Sequence, residues 1–206
     1  VFDFTYKTIA QPAEGIYKDK GSKFLSFAYP VTRETVVKEI LTHVKTSHPK
    51  ANHHCYAYRL KADKSVVKFQ DDREPANTAG KPILHVIQSN DLTDVLIVVV
   101  RYFGGTLLGV PGLIKAYKGA ATDAVKNALI VEKDIEEHYT LNFPYTSINE
   151  VMHELKTGKA VITKQELNDS CVVEIRITKK YADAFIKSIT TNFRLKDKLV
   201  MKAISI

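Results

Sequence analysis

The alternation of apolar and polar positions divides the chain into short elements. Residues 4–9, 15–18 and 23–31 alternate or run apolar and aromatic, punctuated by Gly15 and Gly21, and predict three strands. After Pro30, with Thr32 placed to cap, Val36/Val37, Ile40/Leu41 and Val44 recur at spacings of three and four, which predicts a helix ending before Pro49. Residues 53–60 alternate again as a strand, and 66–70 read as another. Residues 71–82, rich in Asp, Asn, Gly and Pro, predict a loop that enters a helix at Pro82, whose missing N–H would be unpaired in a first turn anyway. Ile83, Leu84, Val86 and Ile87 supply that helix with an apolar stripe.

The sharpest signal is the strand at 94–102. Its unbroken Val95-Leu96-Ile97-Val98-Val99-Val100 predicts burial on both faces, in the centre of a sheet. Residues 111–129 then read as a helix with Ile114, Tyr117, Ala121, Ala124, Val125 and Ala128 inward, and Lys115, Lys118, Thr122 and Lys126 opposite. Around 131–137 the chain turns polar and acidic, and a second unit begins. It reads as a strand at 139–143, a helix at 148–155, a hairpin of 159–167 and 170–178 about Asn168-Asp169, a helix at 181–189 and a strand at 199–206. That strand-helix-strand-strand-helix-strand order is the ferredoxin-like arrangement. The expected architecture is α+β in two domains, 1–136 and 137–206.

Composition narrows the function classes. With 26% charged and 45% hydrophobic residues, the 206-residue chain has the balance of a folded globular protein and not of a disordered one. No apolar run approaches the roughly 20 residues that cross a bilayer, and the N-terminal order is not that of a signal peptide. Two distant cysteines, Cys55 and Cys171, imply no disulfide framework. The expected location is the cytoplasm. A net charge of +7 favours a polyanionic partner, although the Lys and Arg residues are spread along the whole chain.

Three segments carry candidate chemistry. In residues 101–117, Gly104, Gly105, Gly109 and Gly112 stand between a buried strand and a helix, with Arg101, Tyr102, Lys115 and Tyr117 flanking them. Such glycines either let backbone N–H groups at a helix start approach an anion or only allow tight turns and close packing. The stretch is neither a Walker A loop nor a dinucleotide fingerprint. In residues 71–82, Asp71, Asp72 and Glu74 gather three carboxylates that could hold a divalent cation, do acid–base work or cap turns. In His53-His54-Cys55, strand geometry turns His53 and Cys55 to one face and His54 to the other, which leaves too few ligands for a tetrahedral metal site. Tyr56, Tyr58, Tyr102, Phe103 and Tyr117 would suit base stacking or core packing.

Lys20-Gly21-Ser22-Lys23-Phe24, residues 51–59, residues 71–82 and residues 101–117 occur together and in an order that resembles the IMPACT/YigZ family, over most of residues 18–130. The resemblance implies an N-terminal α/β sandwich like a ribosomal-protein domain and domain IV of elongation factor G, and a C-terminal domain like domain V of that factor. It implies a binding protein linked to translation control, with RNA or the ribosome as partner and no cofactor, metal or catalytic residue assigned. A protein-binding regulator, or an enzyme acting on a phosphorylated or nucleotide substrate, are the alternatives. The implied binding residues are Arg101, Tyr102, Gly104, Gly105, Gly109, Gly112, Lys115, Tyr117, Asp71, Asp72, Glu74, Thr78, Gly80 and Lys81. Three positions depart from the family pattern. Arg73 stands where a glycine is usual, which would strain a left-handed turn by roughly 1–2 kcal/mol. Val110-Pro111 removes an N–H donor from the helix start, and Lys115 replaces an arginine and its planar fork.

Overall fold

A computed structural model describes residues 4–204 of the chain, which form two compact units, one spanning Tyr6–Lys133 and the other built from Asp134 onward together with the segment through Thr5. In the first unit, β2 (Ala13–Asp19), β3 (Ser22–Pro30), β4 (His53–Leu60), β5 (Val66–Gln70) and β6 (Val95–Tyr102) make one sheet in the order β2-β3-β6-β4-β5. Every neighbouring pair is antiparallel. The apolar run that predicted a doubly buried strand is β6, and it holds the central place.

Alternation along β6 feeds two separate cores. Val95, Ile97 and Val99 join Phe24, Ala28, Cys55 and Ala57 beneath helices α2 (Gly80–Ser89) and α3 (Gly109–Asn127). Leu96, Val98 and Val100 join Tyr58 and Leu60 against Val37 and Val44 of α1 (Glu34–Ser47). The sheet is therefore sandwiched between one helix and two. All six residues from Val95 to Val100 are fully buried, and each aliphatic side chain removed from water contributes about 1.5–3 kcal/mol. On α3 the inward stripe is small: Ala116, Ala120, Ala121 and Ala124 let the helix lie close to the sheet, and Ser26 Oγ donates to the Ala120 carbonyl at 2.6 Å.

Several local expectations shift. The N-cap of α1 is Arg33, with no side-chain capping bond, so Thr32 stands one residue too early. Helix α3 begins at Gly109, two residues before the predicted start. Ile114 is exposed and Leu113 takes its inward place, because the buried stripe runs through Ala116 and Ala120 instead. The polar, acidic stretch around 131–137, where the pattern predicts no element, holds most of a strand, β7 (Ile130–Asp134), paired with β1 (Thr5–Ile9). Its mostly exposed side chains carry no periodic signal, so backbone pairing alone defines it.

The second unit follows its predicted order: β8 (Glu136–Pro144), α4 (Ile148–Thr157), β9 (Val161–Leu167), β10 (Ser170–Thr178), α5 (Lys179–Thr191) and β11 (Val200–Ala203). The sheet runs β11-β8-β10-β9, antiparallel throughout. Leu141, Phe143, Val173, Ile175 and Ile177 meet Val151, Leu155, Phe185 and Ile189 of the two helices. This is the split βαβ arrangement. The last two residues of the strand expected at 199–206 lie outside the described residues. Among the described residues no helix is long and apolar enough to cross a membrane.

Ile97→Ala should destabilise the first unit by about 2–5 kcal/mol, because the cavity opens where the sheet and two helices meet. Urea unfolding checks this, and a loss below 1 kcal/mol would contradict the central placement of β6.

Candidate binding site

The sequence-predicted residues converge on one end of the first sheet. β6 ends there with Arg101 and Tyr102, and β4 begins there with His53, directly opposite Arg101 in the ladder. Phe24 of β3 is the partner of Arg101 on the other side. By the alternation of β6, Arg101 follows Val95, Ile97 and Val99 into the two-helix core, where it is 5% exposed. A guanidinium in that position needs a counter-charge. Glu74, itself buried, supplies one: Arg101 Nη1 donates to Glu74 Oε1 at 2.6 Å. The Tyr117 hydroxyl, from the third turn of α3, donates to the same oxygen at 2.8 Å, and His53 Nε2 stands 3.7 Å away. The Arg101 guanidinium lies over the rings of Phe24 and Phe103, 5.5 Å from each centroid.

The three neighbouring carboxylates do not act together. Asp71 turns inward to the loop backbone: its Oδ1 accepts from the N–H groups of Ala79 and Gly80 at 3.0 and 2.8 Å, and its Oδ2 from Asn77 at 2.9 Å. It thereby caps the start of α2, whose N-cap residue, Ala79, has no capping side chain. Asp72 Oδ2 accepts the His54 N–H at 2.7 Å, and the Asp72 carbonyl meets His53 Nδ1 at 2.8 Å. Glu74 alone enters the core. Among the described residues no three His, Cys, Asp or Glu side chains are grouped to hold a metal ion. The buried Thr78 hydroxyl donates to the Pro75 carbonyl, Gly80 is buried inside the first turn of α2, and Lys81 is exposed.

His53 and Cys55 do face the same side, and His54 the other. Cys55 Sγ lies 3.0 Å from the Asp71 carbonyl, and burial pushes its thiol far above the usual range. Burial, with Cys55 and Glu74 close by, does the same to the Tyr117 hydroxyl. Neither group ionises under ordinary conditions, so Cys55 is not poised as a nucleophile. Tyr102 points away from Arg101 to the opposite face, where its hydroxyl meets His48 Nδ1 at 2.8 Å.

The glycine-rich loop is pinned at its root and open at its tip. Phe103 N–H donates to Asn52 Oδ1 at 2.9 Å, and Gly104 N–H to Ser22 Oγ at 3.1 Å. Gly104 rests on the β2–β3 turn so tightly that a Cβ there would sit 2.0 Å from the Gly21 carbonyl carbon. Gly105, by contrast, faces open space. Leu107 is 82% exposed, with Val110 and Ile114 also exposed. The N-terminus of α3 has no side-chain cap, Gly109 stands at φ +69°, Pro111 occupies the first turn without an N–H, and Gly112 packs on Leu108. Lys115 is exposed one turn later. Ser22 and Asn52 are the anchors that the list of binding residues lacked. Both lie in motifs that travel with the loop, which is the signal that marks them.

Residues 20–125 match the family model described as the Impact N-terminal domain, a span that takes in every residue of this site. The chain is 28% identical over 186 residues to IMPACT family member YvyE of Bacillus subtilis, covering 90% of this chain and 86% of that protein. It is 36% identical over 138 residues to IMPACT family member YigZ of Escherichia coli, covering 66% and 68%. A crystal structure described as that of a hypothetical protein superposes with a TM-score of 0.77 over 99% of both chains, at 28% identity.

Two outcomes follow from the site. The Arg73 backbone has φ +71°, so the position that a glycine would suit is left-handed here, while its exposed side chain donates to the Asn52 carbonyl at 3.0 Å and stands 3.9 Å from Asp72 Oδ1. Arg73→Gly should therefore raise stability by up to about 1 kcal/mol in urea unfolding. The second concerns alkaline pH. Cys55 and Tyr117 keep their protons in the folded chain where the unfolded chain releases them, at about 8.5 and 10. Above those values the folded state binds more protons, so stability falls as pH rises through about 9 to 11 and is unaffected by these groups below 8. Urea midpoints at pH 8, 9.5 and 10.5 should decline in that order.

Proposed function

The chain belongs to the IMPACT family, and from that footing we propose that it is a non-catalytic binding protein in translation control, engaging RNA, free or on the ribosome, with the loop end of its first sheet. One observation carries the reading. At this end the three carboxylates of residues 71–74 are engaged inside the fold, while five lysines are left outside. Asp71 caps α2, Asp72 holds the start of β4 and Glu74 neutralises Arg101. Lys20, Lys23, Lys81, Lys115 and Lys118 are exposed, and among the described residues no ion pair holds any of them. A surface that presents exposed ammonium groups beside carboxylates already engaged by the fold attracts a polyanion. Of the five aromatic residues that would suit base stacking, Tyr58 and Tyr117 are buried, Tyr56 and Tyr102 are half-buried, and Phe103 is exposed. The family's link to translation supports RNA over other polyanions.

A protein partner is the second reading, favoured by the exposed Leu107, Val110 and Ile114 on the same lip. The enzyme reading loses its main support, since its three carboxylates serve three different internal partners.

RNA affinity should fall steeply with salt, and Lys115→Ala combined with Lys118→Ala should reduce the slope of log K against log salt by about 1–2. Titration of the full chain with RNA at several salt concentrations measures this. Affinity that is indifferent to salt, or a pull-down partner that survives nuclease and is lost in Leu107→Ser, would shift the assignment to protein binding. Arg101→Ala is a poor probe of binding, because it strands Glu74 in the core and costs about 3–5 kcal/mol of stability.

A further inference from the structure

Arginine carries five N–H donors in a rigid, planar fork. In Arg101 the bond to Glu74 uses Nη1 and leaves Nε unmatched: among the described residues Arg101 Nε is the one buried side-chain nitrogen or oxygen without a hydrogen-bond partner. Buried polar groups are, as a rule, bonded, so an orphan donor on a buried cation points to a missing acceptor. The side chain is 6% exposed, and its surroundings restrict what that acceptor can be. Glu74 Oε1 sits 2.6 Å from Nη1, so a doubly charged anion would be repelled by the carboxylate next door. An oxygen carrying at most one negative charge fits.

The second feature is the cover. Arg101 lies between two rings, Phe24, fully buried, and Phe103, 44% exposed. The Phe103 backbone is fixed by Asn52, and Gly104 beyond it by Ser22 and the Gly21 contact, so the loop root is held while the ring stands partly open to solvent. Past Gly104 the space over Gly105 is empty. A half-exposed ring on a fixed backbone, backed by a guanidinium, is a platform for one flat partner.

Resting on the RNA-binding reading of this face, we propose that Phe103 and Arg101 form a subsite for a single unpaired nucleotide. The base stacks on the exposed side of the Phe103 ring, and a non-bridging oxygen of the adjoining phosphodiester accepts the Arg101 Nε–H as the ring turns aside. The phosphodiester brings the single negative charge that Glu74 tolerates. The stack demands an unpaired base, because bases inside a duplex offer no free face. The flanking lysines, Lys20 and Lys23, lie on the turn and strand that hold Gly104 and contribute attraction without selecting the base.

The test uses the full chain and two readouts. Fluorescence anisotropy compares an unstructured RNA of about ten nucleotides with the same strand in a duplex. The single strand should bind more tightly. Phe103→Leu, which keeps an apolar cover but no ring, should weaken single-strand binding about tenfold, and Phe103→Tyr should restore it. Because Arg101 variants risk unfolding, Arg101 is read in the wild type through its Nε–H resonance by NMR. That resonance should move on adding the single-stranded RNA, and in the same direction with dimethyl phosphate as the phosphodiester alone. Equal affinity for single strand and duplex, wild-type affinity in Phe103→Leu, or an Nε–H unmoved at saturating RNA would each overturn the subsite while leaving salt-dependent RNA binding intact. Failure of the wild type to bind any RNA at low salt would overturn the broader reading along with it.

Discussion

A guanidinium at the end of an apolar strand must be neutralised where it lies, and the contact between Arg101 and Glu74 meets that need. Much of the first unit is arranged around this contact. β6 carries Arg101 into the core, and the loop after β5 carries Glu74 to it. α3 adds the Tyr117 hydroxyl on the same carboxylate oxygen, and β4 adds His53 close by. Asp71, three residues before Glu74, fixes the loop to the start of α2, so the placement of the buried carboxylate depends on a cap made by its neighbour. The pair is a registration device more than a source of net stability, since burying two charges offsets much of their attraction.

The legible parts of the chain were those where periodicity and burial agree. β4, β5 and β10 fall on the residues that their patterns predicted, and the unbroken run of β6 gave its central position without any partner being known. β7 was illegible because three of its five residues are charged and a strand of exposed side chains has no alternation to read. On α3, Tyr117, Ala121, Ala124 and Val125 face inward as their spacing predicted. Leu113 replaces Ile114, and the buried Ala116 and Ala120 escaped the pattern, because alanine packs like a core residue but carries little hydrophobic signal. The carboxylates of residues 71–74 looked like a cluster in sequence. Their separation into a cap, a strand anchor and a buried counter-ion is set by partners 6 to 43 residues away, which no local pattern encodes.

The departures from the family pattern acquire physical meanings. Arg73 does sit at positive φ, as a glycine-favouring position would. Pro111 lies in the first turn of α3, where it costs no helix hydrogen bond but takes away a donor. With that donor gone and Lys115 in place of a forked side chain, the helix start is a weaker seat for phosphate. The root of the loop, where Arg101 retains an unclaimed donor and Phe103 stands over it, is a better seat for an anion than the helix terminus.

The double burial of β6 also bears on how the unit comes apart. In a sheet with one wet face, a helix layer can peel away and leave the strands paired. Here the two cores, one beneath α2 and α3 and the other beneath α1, share the alternating side chains of a single strand. Loosening either layer exposes half of the same six residues and weakens the footing of the other. The amide hydrogens from Val95 to Val100 are thus shielded by both layers at once, and their exchange with solvent reports the opening of the whole unit and not of any one helix.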